Sequence, residues 1–407
     1  MKCRFDALPL SAVFVDLGFC PPSNSYLLKE QLNNSEAYYP LKLYVSDRTF
    51  LVQVDELKSA HEIFSEDYAY FSSFSKSWLK HAENYVEMMV SRFGIDKDWQ
   101  VVELASNDGY LLQYFKQRGV PVLGVDPSLS VATAARQKGI DTRVDFFGTE
   151  LANQLKAAGV RADLLLGNNV LAHVPDLNDF VGGMKVLLSE DGIITMEFPH
   201  LMNLVDGVEF DTIYHEHFSY FSFYTVIKIF AAHGLEIFDV DEIPTHGGSL
   251  RIYAQHTNGP QSVSPNVNAL LEKEKKKGMQ TLEYYKGFQD KVDQVKIGLL
   301  KFLIEQKEAG KKVAAYGAAA KGNTLLNFCG VRGDFISFVV DACDYKQGHY
   351  LPGSHIPIVS EDRIREEKPD YIVILPWNLK DEIVEQLSYI REWGGQFVIP
   401  IPKLRCF

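Results

Sequence analysis

The stretch IYHEHFSYF sets Tyr214, His215, Glu216 and His217 side by side, an unusual density of ionisable groups in an apolar setting. Histidine titrates near neutrality, and an adjacent carboxylate or phenol fixes its tautomer and basicity. Three chemistries are open to such a run. In an extended segment His215 and His217 point the same way, which offers a ligand pair to a metal whose further ligands would come from residues such as His173 or His246. Oriented by Glu216 and Tyr214, a histidine can instead take a proton from a carbon next to a carbonyl. Or the polar groups simply satisfy one another among Phe218, Tyr220, Phe221, Phe223 and Tyr224.

A second constellation lies upstream in VVELASNDGYLL. Glu103 ends a strand pattern, and Asn107, Asp108 and Gly109 form the turn before a helix. The next strand ends in GVDPS, where Asp126 is placed to hold ribose hydroxyls. A dinucleotide turn wants G-x-G-x-x-G so that backbone can approach a pyrophosphate. Here a single glycine stands among acids, which repel a pyrophosphate and welcome an ammonium and a sulfonium. The turn therefore predicts S-adenosylmethionine, and NNVLAHVPDL adds Asn168, Asn169 and His173 at the cofactor edge.

A third signal is VAAYGAAAKGNTLL. Gly317, Gly322 and Thr324 fit a phosphate loop, but Asn323 stands where its lysine belongs and Lys321 comes two residues early. An ATPase is rejected, while close approach of an anion to the helix start beside Lys321 stays open. THGGSLRIY contributes His246, Ser249 and Arg251, and DYKQGHYLPGSHIPI contributes Lys346, as residues for substrate.

The elements that must position these groups alternate between strand and helix periods. That pattern predicts an α/β chain with a doubly wound, Rossmann-like central domain over residues 66–260. A small β-rich module over 1–65 precedes it, and a second Rossmann-like α/β domain follows over 261–407. In KSWLKHAENYVEMMVSRF, Trp78, Ala82, Tyr85, Val86, Met89 and Phe93 share one helical stripe. The net charge of −12 argues against nucleic acid or anionic lipid as partner. No apolar run reaches membrane-spanning length, and the N-terminus is not a signal peptide. Five scattered cysteines fit a reduced, cytoplasmic setting.

Together, VELASNDGYLLQ, GVDPS, EFPHL, DTIYHEHFSYFS, HGGSLRIY, YGAAAKGNTLLN and KQGHYLPGSHIPI resemble the sugar C-methyltransferase family, which includes C-3 methyltransferases of nucleotide-linked 4-keto-6-deoxy sugars. The resemblance implies a central S-adenosylmethionine domain, a nucleotide-sugar substrate (dTDP- or GDP-linked) lying among the three parts, and a base supplied by the YHEH segment. His217 is then the leading base, with Tyr214 and Glu216 beside it, and YFSS places Tyr70 near the reacting sugar. His215, His246, Ser249, Arg251, Lys321, Asn323 and Lys346 are expected on the substrate side. The family's N-terminal module carries two C-x-x-C pairs. Here they read CRFD and SDRT, leaving Cys3, Asp6, Ser46 and Thr49. That is a poor tetrahedral zinc set, and no metal is expected. Two other readings remain: an O-methyltransferase acting on a sugar nucleotide, and a non-catalytic nucleotide-sugar-binding protein.

Overall fold

Strands that are buried along their whole length need cover on both faces. VVEL (β4, Val101–Leu104) and ADLLLGN (β7, Ala162–Asn168) are of this kind. In the computed structural model, which describes residues 1–57 and 71–407, they lie at the centre of a seven-stranded sheet. Tyr70 falls outside the described residues. The sheet runs β10-β11-β8-β7-β4-β5-β6, with β5 (Val122–Asp126), β6 (Thr142–Val144) and β8 (Leu188–Pro199) parallel to the central pair. β10 (Leu235–Ile243) and β11 (Ser249–His256) close one edge as an antiparallel hairpin.

Side chains alternate between two cores. Val101, Leu164 and Leu166 pack with Ala82, Tyr85, Val86 and Met89 of the helix Lys76–Phe93. Val102, Leu104 and Leu165 pack with Phe180, Val181 and Met184 on the other face. The helix Lys76–Phe93 starts where the Ser75 side chain accepts from Trp78 N–H and stops at Gly94 in the left-handed conformation. Successive strands leave β4 in opposite directions, so a crevice opens at the carboxyl ends of β4 and β7.

The N-terminal residues form a sheet of β1 (Ala12–Cys20), β2 (Tyr39–Val45) and β3 (Val52–Val54). Its fourth strand is β9 (Ser219–Tyr220), contributed by the chain just after His217. The module's Phe14, Leu41, Leu43 and Val52 share one core with Phe288, Leu299, Leu325 and Ile336 of the C-terminal part.

That part carries a second, mainly parallel sheet, β14-β13-β12-β15-β16-β17. Here β12 (Val313–Tyr316) and β15 (Tyr371–Ile374) are central, β13 (Val339–Val340) and β14 (Ile358–Val359) lie to one side, and β16 (Gln396–Ile399) and β17 (Arg405–Cys406) lie to the other. The loops leaving β12 and β15 touch. Gly317, at φ +93°, has no room for a side chain, since a Cβ would stand 2.4 Å from Pro376 Cδ. The helix Pro265–Lys277 packs on the central domain, with Val267 and Leu270 in its core. Among the described residues no helix is long and apolar enough to cross a membrane.

Candidate active site

The turn after β4 is strained. Ala105 (φ 56°) and Asn107 (φ 49°) join Gly109 (φ 75°) in the left-handed region, which non-glycine residues occupy at a cost of about 1 kcal/mol or more each. Hydrogen bonds hold the turn there. Asn107 N–H donates to Asp126 Oδ2 (2.9 Å), Asn107 Oδ1 accepts from Ser72 N–H (2.9 Å), and Asp108 is paired with Lys138 (2.9 Å). The Ser73 hydroxyl also donates to Asp108. Asp126 Oδ1 accepts from Ser128 N–H at 2.9 Å.

Glu103 is fully buried, and neither of its carboxyl oxygens has a hydrogen-bond partner among the described residues. Burial, then the charges of Asp126 and Asp108, push its pKa well above the ordinary value. Burial likewise lifts Asp126 to about 6. Both amide atoms of Asn168, across the crevice on β7, are also without partners. A buried acid whose charge lacks a cation, on the strand next to an unsatisfied amide, fits a ligand with an ammonium, a sulfonium and ribose hydroxyls.

The YHEH run is a turn, not an extended segment. His217 N–H donates to the Tyr214 carbonyl (3.0 Å), and the two histidines diverge. His215 Nε2–H donates to the Pro40 carbonyl (3.2 Å), so this side chain is tied to the N-terminal sheet rather than set beside His217. A turn brings its first and fourth residues together, and here these are Tyr214 and His217. His217 Nδ1 faces the Thr212 carbonyl (3.1 Å), which can only accept, so Nδ1 carries the hydrogen and Nε2 the lone pair. The Tyr214 hydroxyl donates to that lone pair at 2.8 Å. Burial, reinforced by His173, keeps the His217 pKa well below the usual histidine range.

His173 lies against this turn. Its Nδ1–H donates to the Glu216 carbonyl (2.8 Å), its ring sits 4.6 Å from that of His217, and burial lowers its pKa to about 4. The Glu216 carboxylate accepts from Asn24 Nδ2 of the N-terminal module (2.7 Å). What orients His217 directly is thus the Thr212 carbonyl and the Tyr214 phenol.

Two further groups of side chains close around this turn. In the first, Glu197 at the end of β8 receives Arg251 Nε (2.7 Å) and His81 Nε2 (2.8 Å). Burial raises the Glu197 pKa, but His81 and Arg251 outweigh it and hold the carboxylate below its ordinary value. Arg251 is thereby engaged, with its guanidinium also 4.9 Å from the Tyr85 ring centre. His246 (φ 56°) and Asn169 (φ 57°), both left-handed, are bonded to each other, Asn169 Nδ2–H donating to His246 Nε2 at 3.2 Å. The Ser249 hydroxyl donates to the Thr245 carbonyl (2.9 Å) and braces the same turn.

The second group comes largely from the C-terminal domain. Thr324 of the helix Ala320–Cys329 donates to the Ile213 carbonyl (2.8 Å), docking that helix on the catalytic segment. The Asn323 amide donates to the Ser23 carbonyl. Lys346 donates to the Ala318 carbonyl (3.0 Å). Lys321, in the first turn of the same helix Ala320–Cys329, reaches Asn378 Oδ1 (3.3 Å) and sits 4.8 Å above the Trp377 ring. Trp377 Nε1–H donates to Asp211 (2.8 Å). Glu209 is 6% exposed. Burial lifts Glu209 to about 8 and Asp211 to about 6, with Lys321 opposing both. Glu209, Asp211, Trp377, His81 and Glu197 escaped the reading of the sequence. Only the acid pair in VEFDT, directly before the motif, carried a usable signal.

Residues 244–402 match a family model described as the C-methyltransferase C-terminal domain, residues 78–240 a methyltransferase domain and residues 3–64 a zinc binding domain. The chain is 34% identical over 391 residues to the C-methyltransferase NovU of Streptomyces niveus, covering 96% of this chain and 93% of that protein. Among solved structures, the magnesium protoporphyrin IX methyltransferase of Synechocystis PCC 6803 with bound SAM has 16% identity and a TM-score of 0.35, covering 48% of this chain and 89% of that one. The 1,6-didemethyltoxoflavin-N1-methyltransferase of Burkholderia thailandensis has 18% identity and a TM-score of 0.36, covering 51% and 95%. These two likenesses are weak and carry no argument.

The residues of the zinc-binding match do not fit zinc. Cys3 Sγ contacts Thr49 Oγ1 (3.8 Å), Ser46 Oγ accepts from Thr49 N–H (3.1 Å), and Asp6 accepts from Leu8 N–H (3.2 Å). Among the described residues no three His, Cys, Asp or Glu side chains are placed to hold a metal ion. With a curated C-methyltransferase matched almost end to end and a methyltransferase domain spanning the acid-lined crevice, the chain belongs to the C-methyltransferase family, and it is an S-adenosylmethionine-dependent enzyme.

Proposed function

We propose that the enzyme methylates carbon next to the ketone of a nucleotide-linked 4-keto-deoxy sugar, with His217 as the base. The observation that carries this is the state of His217. It is a half-buried imidazole whose desolvation disfavours the charged form and whose tautomer is pinned by the Thr212 carbonyl, so that Nε2 carries the lone pair. A base for a carbon acid must be unprotonated at working pH, and burial keeps it so.

Glu103, Asn107, Asp108, Gly109, Asp126, Asn168 and Asn169 form the cofactor side. S-adenosylmethionine, when bound, supplies an electrophilic methyl group on a cationic sulfur. On the substrate side, His217 Nε2 removes the proton that the ketone acidifies, and the bond's electrons pass toward the carbonyl oxygen. For Nε2 to take that proton the Tyr214 hydroxyl first leaves the lone pair, and it turns to donate to the carbonyl oxygen as charge develops there. His173 packs against the His217 ring and fixes its plane. Glu216, through Asn24, ties the turn to the N-terminal module. The nucleotide, dTDP or GDP, falls to the C-terminal domain, where the loops after β12 and β15 meet at a change of strand direction.

In deuterated water without cofactor, the wild-type enzyme should exchange the proton beside the ketone. His217→Gln should lose exchange and turnover by at least about 100-fold, while still binding S-adenosylmethionine. Near-normal exchange in His217→Gln would overturn the assignment of the base.

A further inference from the structure

Lys321 lies in the helix that Thr324 docks on the Ile213 carbonyl, just before the Tyr214–His217 turn, and its charge opposes protonation of His217 and of His246. It can donate three hydrogen bonds, and only the one to Asn378 is described. Glu209 and Asp211 influence it electrostatically, yet neither forms an ion pair with it among the described residues. The Glu209 carboxyl packs over the Gly247 backbone, where a Cβ would stand 2.6 Å from Glu209 Oε1. Asp211 Oδ1 is unsatisfied. Trp377 gathers these groups, with its ring under Lys321, its Nε1–H on Asp211 and its Cη2 against the same Gly247 position. Two acids beside one lysine make a poor seat for a diphosphate. They suit an uncharged sugar ring on which one oxygen becomes negative.

Resting on the keto-sugar reading above, we infer that Lys321 donates to the ketone oxygen and stabilises its negative charge as the enolate forms, and is not a phosphate ligand. The balance is simple. The proton leaves carbon for His217 Nε2, the C–H pair becomes the C=C bond, and the carbonyl π pair moves to oxygen, where the ammonium meets it. Burial lowers the Lys321 pKa, Asp211 and Glu209 oppose that shift, and it is as the ammonium that Lys321 donates. Below about pH 8 the Glu209 carboxyl is neutral and can donate to a ring hydroxyl.

The test is cofactor-free proton exchange in deuterated water, at saturating nucleotide-4-keto sugar, for wild type, Lys321→Met and Lys321→Arg. Binding of S-adenosylmethionine and of the nucleoside diphosphate alone is measured alongside by titration. Lys321→Met should lose exchange by about 100-fold or more, with both affinities within about threefold of wild type. Lys321→Arg, which keeps the charge, should retain more exchange than Lys321→Met; it also serves as the decisive variant should Lys321→Met fail to bind S-adenosylmethionine. Equal exchange in wild type and the variants would overturn the inference. So would a tenfold or greater loss of nucleoside diphosphate affinity, which would make Lys321 a phosphate ligand. A wild-type enzyme that exchanges no proton in any keto sugar tested would instead sink the keto-sugar reading beneath it.

Discussion

Single positions in the cleft are held by space as tightly as by charge. Gly247, at φ +94°, lies under the Glu209 carboxyl and the Trp377 ring, and a Cβ would stand 2.6 Å from Trp377 Cη2. Gly247→Ala should cost about 1–3 kcal/mol in a denaturant titration and lower kcat/KM at least about tenfold, because it displaces Glu209 and Trp377. Stability within about 0.3 kcal/mol of wild type would show that the turn accommodates the methyl group. At this scale the sequence was informative where residue types were dense. Tyr214 and His217 could be named because four polar side chains in a row are rare. Their geometry could not be read, since the i to i+3 hydrogen bond that turns the segment leaves no mark in composition. It is that bond which separates His215 from His217 and undoes the shared orientation expected of an extended run. Glu197 stayed hidden because a lone acid in an apolar stretch has no spacing to betray it.

Among the elements, the strained turn after β4 does two jobs. It exposes the carboxyl end of the strand, and it leaves the Glu103 and Asp126 carboxyls short of cationic partners. The sign of the pH response follows. The free protein holds these protons more tightly than an unfolded chain does. Their contribution to stability is fully present below the unfolded carboxylate pKa and is lost as pH rises, for Asp126 through about 6. A cationic ligand lowers both pKa values, so S-adenosylmethionine binding should release protons and tighten as pH rises from about 5 to about 7. Calorimetry in two buffers of different ionisation enthalpy measures that release. Affinity flat across this window, with no proton release, would mean that the cofactor cation is not held by these acids. The turn was legible because the acid-rich NDG string contradicts a dinucleotide loop on simple electrostatics. Its left-handed residues were not, because alanine gives no warning of a positive φ.

On the scale of the whole molecule, the three-part order of the chain was visible in the shift from short β-like runs to alternating strand and helix periods. The way the parts are knitted together was not, because it depends on contacts remote in sequence. The N-terminal and C-terminal parts share a single apolar core, and the helix Pro265–Lys277 packs back on the central sheet with its Glu274 against His200 (2.7 Å). This shared core does what a metal would otherwise do for a small module. Treatment with a chelator should therefore leave the melting temperature within about 1 °C, since no folding free energy is tied to metal. One tightly held zinc per chain in elemental analysis, with melting lowered by the chelator, would overturn this account.

β9 gives that knitting a mechanical meaning. Two residues after His217, the chain is clamped to Val52 and Gln53 by sheet register. Strand pairing allows no intermediate settings, since a slip of one residue would turn every side chain of the short strand to the opposite face. The N-terminal module is thus a gauge against which the Tyr214–His217 turn is set. A chain without that module would keep every residue assigned to chemistry and lose the reference that tells His217 where to stand.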